Sequence, residues 1–269
     1  MFYIYTMQSR EVFRDDFMNA SKITYKTSRS NLNVVCYTVY NKEALHRMRC
    51  VIYLRGGHLD YGALTRDMFT QKSFLTFLAS QGFFVIAPQY PGVDGGEGKD
   101  EFGGTTDTES ITSLVDVLKH KDFCDFVDST SIGIVGFSRG GLAAYQVMRI
   151  NPPWLKAVVV VGGSVDSKHD WKSRPVLKKI ATELYGATPE GARDRSVIKW
   201  YKELPRLPLL LLHGGLDEKV DPQCTLRLAQ KLSKIKYPYK CILYGTSGHY
   251  LLDRPNPERE VVEWLWKNV

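Results

Sequence analysis

Five residues constrain this chain more than any others. Gly136-Phe137-Ser138-Arg139-Gly140 directly follows the apolar run Ser131-Ile132-Gly133-Ile134-Val135 and precedes an apolar helical run, Leu142, Ala143, Tyr145, Val147 and Met148. A strand that turns this sharply into a helix forces its tip residue into strained φ/ψ, and small residues two before and two after let the flanking backbones pass. The serine hydroxyl is then exposed above the sheet, and the helix beginning beneath it offers N–H groups to a developing oxyanion. The strand-to-helix context, which a bare five-residue match would lack, makes Ser138 a candidate nucleophile.

Short β-rich runs alternate with amphipathic helical stretches along the rest of the chain. The spacing predicts eight strands: Lys22–Lys26, Leu32–Tyr40, Cys50–Arg55, Phe83–Pro88, Ser131–Gly136, Lys156–Gly162, Pro208–His213 and Tyr239–Tyr244. Continuous runs such as Val158-Val159-Val160-Val161 and Leu209-Leu210-Leu211-Leu212 suit strands buried on both faces, hence a parallel sheet covered by helices. The first two strands alternate and predict an antiparallel hairpin at the sheet edge, turning near Ser28–Asn31. Helix signals fill the gaps. Thr106-Asp107-Thr108-Glu109 reads as a capping box, Asp221-Pro222 as an N-cap with proline in the first turn, Phe74, Phe77 and Leu78 as a stripe closed by Gly82, and Pro257 as the opening of the last helix. The expectation is a single α/β domain over residues 1–269. Residues 164–204 have little strand character and many charges, and they predict a small cap between the sixth and seventh strands, with helices over Val176–Tyr185 and Arg193–Lys202.

A chain of 269 residues, 43% hydrophobic and 24% charged, has the make-up of a soluble globular protein. Its start, Met1-Phe2-Tyr3-Ile4-Tyr5-Thr6-Met7-Gln8, lacks the basic residues and long apolar core of a signal peptide, and no apolar stretch is long enough to span a bilayer. Cysteines at 36, 50, 124, 224 and 241 show no metal-type spacing and read as reduced thiols, so a cytoplasmic protein without a metal is expected. The net charge is +7, with basic residues concentrated at Lys168, Lys172, Arg174, Lys178 and Lys179 and at Lys231, Lys234 and Lys236. No nucleic-acid motif accompanies them, so solvated helix faces, and no nucleic-acid partner, are expected. The first cluster falls in the cap, where positive charge at an active-site mouth would favour anionic substrates.

A serine hydroxyl needs a base to take its proton and a carboxylate to orient that base. With each partner on a loop at the C-terminal end of a strand, Asp217 in His213-Gly214-Gly215-Leu216-Asp217 and His249 in Thr246-Ser247-Gly248-His249 stand after the last two strands. Asp166, after the sixth strand, is the alternative acid, and Asp221 is the helix cap. His58, His169 and His213 compete for the base, but only His249 follows the last strand; His213 is expected to hydrogen-bond the loop that carries Asp217. The candidate oxyanion donors are the N–H groups of Arg139, next to the serine, and of Gly57, in the glycine pair after Tyr53-Leu54-Arg55. Candidate substrate-binding residues are Arg55, His58, Tyr61, Tyr90, Phe137, Trp171 and Tyr250, most of them aromatic and all beside the predicted loops.

Taken together, the G-F-S-R-G elbow, the R-G-G loop, Ala87-Pro88-Gln89-Tyr90-Pro91-Gly92 with Gly95-Gly96-Glu97-Gly98-Lys99-Asp100, the H-G-G-L-D-E-K-V segment and the final G-H resemble the catalytic domain of the prolyl oligopeptidase family, over roughly residues 48–268. The resemblance implies the α/β-hydrolase fold and assigns Ser138, Asp217 and His249 to a triad. Larger members carry a β-propeller before this domain; the residues ahead of Cys50 already supply two strands, so none is expected here. Where several of those peptidases have a tyrosine as an oxyanion donor beside the glycine pair, this chain has Arg55, free to donate, to bind a substrate carboxylate or to pair with a loop acid. The expected activity is hydrolysis of an ester or a short-peptide amide through an acyl-enzyme, without a cofactor. The alternative is a catalytically silent scaffold on the same fold.

Overall fold

Continuous and alternating apolar runs behave differently in the computed structural model, which describes residues 8–14, 18–44, 47–70, 72–251 and 255–269. The reading of the segment before Gln8 lies outside the described residues. Nine strands form one sheet: β1 (Gln8–Arg14), β2 (Met18–Lys26), β3 (Asn33–Asn41), β4 (Met48–Leu54), β5 (Phe84–Pro88), β6 (Val127–Phe137), β7 (Leu155–Val161), β8 (Leu209–Gly214) and β9 (Tyr239–Tyr244). Their order is β1-β2-β3-β5-β4-β6-β7-β8-β9. From β5 through β4 to β9 every pairing is parallel, and β1, β2 and β3 add on antiparallel at one edge. The expected eight-stranded α/β-hydrolase sheet is present, with β1 as an additional edge strand. The β2–β3 hairpin turns at the expected place, where the Thr27 N–H donates to Leu32 O at 2.9 Å and Asn31 takes φ 56°.

Alternation along the buried strands divides the core in two. Val158 and Val160, Leu209 and Leu211, and Ile52 and Ile134 face one side, where Ala143, Tyr145 and Val147 of helix Arg139–Ile150 and Leu228 and Leu232 of helix Pro222–Lys234 pack on them. Val159 and Val161, Leu210 and Leu212, and Val51 and Val135 face the other, against Leu75 and Leu78 of helix Phe74–Ser80 and Val261 and Leu265 of helix Pro255–Asn268. Because the strands run parallel, the loops after β4, β6, β7, β8 and β9 all emerge at one end of the sheet, the end that holds ligands in open α/β folds.

Two helix readings change. The run from Thr106 is not a capping box. Its helix starts at Thr105 behind Gly104, and Glu109 instead accepts the N–H groups of Arg29 and Ser30 at 2.6 and 2.7 Å. The last helix opens at Pro255, ahead of Pro257. Asp221 does cap its helix, accepting the Gln223 N–H.

The segment expected to form a cap, residues 164–204, lies between β7 and β8 and holds helices Ser167–Ser173, Pro175–Tyr185, Pro189–Asp194 and Val197–Trp200, a 3₁₀ turn at Tyr201–Glu203 and no strand. The expected helix Arg193–Lys202 is broken at Arg195 and Ser196, whose groups serve the first cap helix. The Ser196 Oγ accepts the Ser167 N–H at 2.9 Å, and the Arg195 carbonyl accepts the Ser167 hydroxyl at 2.9 Å. The Arg195 side chain ties the cap to the loop after β5, donating to Glu101 O at 2.6 Å and Phe102 O at 2.9 Å.

Candidate active site

Ser138 sits at φ 56° and ψ −119°, between β6 and helix Arg139–Ile150. That conformation is costly for a residue with a Cβ, and close packing enforces it. A Cβ on Gly140 would lie 1.9 Å from Leu54 O, and one on Gly136 would lie 2.3 Å from Gly140 O. Both flanking positions therefore require glycine, while the Ser138 N–H is held by Val161 O at 2.8 Å.

Asp217 and His249 meet above the ends of β7 and β8. The turn after β8 folds Asp217 back so that its Oδ1 accepts the N–H groups of Lys219 and Val220 at 2.8 and 2.9 Å. Its Oδ2 lies 2.7 Å from His249 Nδ1 and 3.0 Å from His213 Nε2. Burial raises the carboxyl's affinity for a proton, but the bonds from His213, His249 and the Val220 N–H outweigh it and hold the group well below the ordinary carboxylate range. An ionised carboxylate only accepts, so the proton of neutral His249 is assigned to Nδ1 and its Nε2 is left as an acceptor. His213 Nε2 faces two acceptors, Asp217 Oδ2 and Val220 O at 3.0 Å, so its proton is also fixed, and Nδ1 accepts from Thr225 Oγ1 at 2.8 Å. Asp166 caps helix Ser167–Ser173 by accepting the His169 N–H at 3.4 Å, which removes it from this cluster.

The loop after β4 comes up against the serine: a Cβ on Gly56 would be 3.1 Å from Ser138 Cβ. Gly57, at φ 77°, lets a small bridge form between His58 and Tyr61; a Cβ there would strike Tyr61 O at 1.9 Å. Among the described residues, neither the Gly57 N–H nor the Arg139 N–H is bound to an acceptor.

The Arg139 side chain braces this loop. Its Nη1 donates to Asp100 Oδ2 at 2.6 Å and Gly57 O at 3.3 Å, and its Nη2 to Asp100 Oδ1 and Asp107 Oδ2, each at 2.5 Å. All three residues are buried. Asp100 also accepts the Leu59 N–H at 2.8 Å, so one carboxylate joins the nucleophile helix to the glycine loop. Burial favours its protonation, but Arg139 and these bonds prevail and keep it ionised.

One pocket expectation is corrected. Tyr90 does not line the cavity: it is 1% exposed, its hydroxyl donates to Arg55 O at 2.8 Å, and its ring lies beside the guanidinium groups of Arg55 and Arg139. Arg55 borders the cavity, but its guanidinium is turned onto the carbonyls of its own loop, Gly56 at 3.1 Å, Leu59 at 2.7 Å and Tyr61 at 3.2 Å. Its Nη atoms hold the loop's shape, and its Nε–H has no partner among the described residues. His58, Tyr61, Phe137, Trp171 and Tyr250 do line the cavity, of about 810 Å³, together with Ser138 and His249. The Phe137 ring lies 5.0 Å from that of His249 and 5.9 Å from that of Tyr250. Of the cap's basic residues only Arg174 reaches this space; Lys168, Lys172, Lys178 and Lys179 are exposed to solvent. Sequence reasoning missed Ser164 and Asp170 on the cap side, where nothing in the local pattern separates a cavity carboxylate from a surface one.

Among the described residues a metal has one set of donors to consider. His169, Asp221 and Cys224, none of which lines the cavity, bring ligand atoms within 4.8 Å of one another. They are already bonded: His169 Nε2 to Asp221 Oδ2 at 2.8 Å, and Cys224 Sγ to the Arg227 guanidinium at 2.9 Å, which is itself a cation. Among the described residues no helix is long and apolar enough to cross a membrane.

Comparison with known proteins agrees with this fold. Residues 69–269 match the model of the prolyl oligopeptidase family. An uncharacterized peptidase of Bacillus subtilis, YtmA, is 28% identical over 221 residues, covering 80% of this chain and 81% of its own. The acylaminoacyl peptidase of Pyrococcus horikoshii superposes with a TM-score of 0.73 at 16% identity over 94% of this chain, which spans only 42% of that protein. Acetyl xylan esterase 1 of Thermoanaerobacterium superposes with a TM-score of 0.69 at 14% identity, covering 98% of this chain and 88% of the esterase. The shared feature is an α/β-hydrolase fold.

Proposed function

The chain belongs to the prolyl oligopeptidase family, and from that premise we propose a serine hydrolase that cleaves ester or peptide-like amide bonds through an acyl-enzyme on Ser138. One observation carries the reading. His249 Nδ1 lies 2.7 Å from Asp217 Oδ2, which leaves its other ring nitrogen without a protein partner, in the same cavity as a serine held at φ 56°.

The Ser138 Oγ attacks the substrate carbonyl carbon while its proton passes to His249 Nε2. Asp217, kept ionised, stabilises the imidazolium and holds the ring's orientation. The carbonyl oxygen becomes an oxyanion against the N–H groups of Gly57 and Arg139, both free to donate. His249 then returns the proton to the leaving alcohol or amine as the C–O or C–N bond breaks. Water repeats the sequence on the acyl-Ser138 ester and releases the acid. Residues 164–204 cover the cavity as its cap, and His58, Tyr61, Phe137, Trp171 and Tyr250 form its walls.

Parallel turnover assays on an aryl acetate and an aminoacyl anilide test this reading in the wild type and in Ser138→Ala. The variant should fold normally by circular dichroism and lose at least about 10³-fold in turnover on whichever substrate the wild type cleaves. A folded variant with near wild-type turnover would refute the assignment.

A further inference from the structure

Asp170 is a buried carboxylate that the proposed chemistry does not use. It lies on the first cap helix, is 5% exposed and lines the cavity. Its Oδ2 accepts the hydroxyl of Ser164. Its Oδ1 takes no hydrogen bond among the described residues. The pair lines the same cavity as Ser138 and His249. Ser164 follows Gly162 and Gly163; a Cβ on the first would lie 3.4 Å from His249 Nδ1, and one on the second 3.6 Å from Ser138 O.

The charged and titratable groups around Asp170 are engaged elsewhere. Arg174 turns its Nη1 to Lys219 O at 2.9 Å, and Lys219 bonds the Tyr250 hydroxyl. His169 faces Asp221 at 2.8 Å, and Asp166 caps its helix. On the facing helix, Cys224 takes its bond from Arg227. Asp170 therefore has no ion-pair partner among the described residues. Burial pushes its carboxyl up to about 6, the behaviour of an acid that lacks a countercharge. The neighbouring wall is aromatic, with Trp171, Phe137 and Tyr250, so a neutral acyl group would leave Oδ1 without a partner, whereas an ammonium would satisfy it and cancel the charge.

We propose that Asp170 and Ser164 form a subsite for a protonated amine on the substrate, so that the cavity prefers aminoacyl groups with a free amine over the same groups acylated at nitrogen. This rests on the hydrolase reading for its biological meaning, but binding tests it separately. The preference is opposite in sign to the anionic bias that the cap's lysines suggest from sequence, because those lysines face solvent and the carboxylate faces the cavity.

The experiment is calorimetric binding of phenylalanine amide and N-acetylphenylalanine amide to the Ser138→Ala protein, with Asp170 intact and with Asp170→Asn. A charge-assisted hydrogen bond predicts about 10- to 100-fold tighter binding of the free amine, erased by Asp170→Asn and diminished as the pH falls below about 6. Equal affinities for the two ligands, no binding of either, or an undiminished ratio in Asp170→Asn would each overturn the proposal. If Asp170→Asn does not fold, the ligand ratio with Asp170 intact and its loss at low pH still decide the matter. Failure of the hydrolase reading would appear elsewhere, as an inactive wild type that still discriminates between the ligands.

Discussion

Replacing Arg139 by methionine would remove the single cation that two buried carboxylates share. The structure sets the scale. Asp100 and Asp107 are 1% and 0% exposed, and Arg139 reaches them through three bonds of 2.5 to 2.6 Å. Methionine fills much of the slot between Tyr90 and Phe102, so a cavity is the lesser effect. Both carboxylates keep backbone donors: Leu59 and Phe102 for Asp100, Glu101 and Gly103 for Asp107. What they lose is the countercharge. Removing one partner of a buried pair costs about 3–5 kcal/mol, a large share of the ~5–15 kcal/mol that holds a domain folded. The pH dependence identifies the cause. In the wild type Asp100 is held below its ordinary value, so its contribution is present above the unfolded carboxylate pKa and is lost as pH falls. In the variant only those backbone donors oppose burial, so Asp100 joins Asp107, which burial already raises in the wild type, in binding a proton more readily folded than unfolded, and stability increases as pH falls toward 5. Urea unfolding of both proteins at pH 7.5 and 5.5 gives the comparison, and Arg139→Met/Asp100→Asn/Asp107→Asn should recover most of the loss. A loss under about 1 kcal/mol, or one that grows as pH falls, would refute the reasoning.

Gly140→Ala should prevent folding, because its methyl would lie 1.9 Å from Leu54 O, whereas Gly186→Ala, at φ 84° with open space around it, should cost only about 1–2 kcal/mol in urea unfolding. Asp217→Asn should lower kcat by about 10⁴-fold through the wrong His249 tautomer, while Asp166→Asn keeps a side-chain oxygen to cap its helix and leaves both stability and turnover unchanged. Exchanging the exposed Lys168, Lys172, Lys178 and Lys179 for glutamine should leave kcat/KM for a neutral ester unchanged at all salt concentrations. An effect there would place these lysines at the cavity.

Local rules recovered what local sterics and periodicity determine. The elbow was legible because Gly136 answers to Gly140 and Gly141 within the same turn, although Gly140 itself answers to Leu54 O on β4, and the two-sided core because Val158–Val161 and Leu209–Leu212 leave no polar face. The order of Asp217 and His249 followed from parallel strands whose loops share one end. What failed depended on partners distant in sequence. Thr106 and Glu109 had the spacing of a capping box, but Thr106 lies inside the helix, Glu109 reaches the β2–β3 turn, and Asp107 between them turns inward to Arg139. Arg139 was singled out for its N–H, while its side-chain role requires Asp100 to arrive from another loop. Tyr90 sits in a segment that borders the site, yet its ring is captured by two guanidinium groups. Helix Arg193–Lys202 broke because Arg195 and Ser196 serve Ser167, far earlier in the cap. β1 is defined by pairing with β2 and lacked a signal of its own.

The most direct test of the central claim is to treat the protein with a fluorophosphonate and locate the adduct by mass spectrometry of the digest. A single phosphonylated serine at position 138, absent from Ser138→Ala and formed far more slowly in His249→Ala, is the predicted result. Labelling at another residue, or at an undiminished rate in His249→Ala, would contradict it.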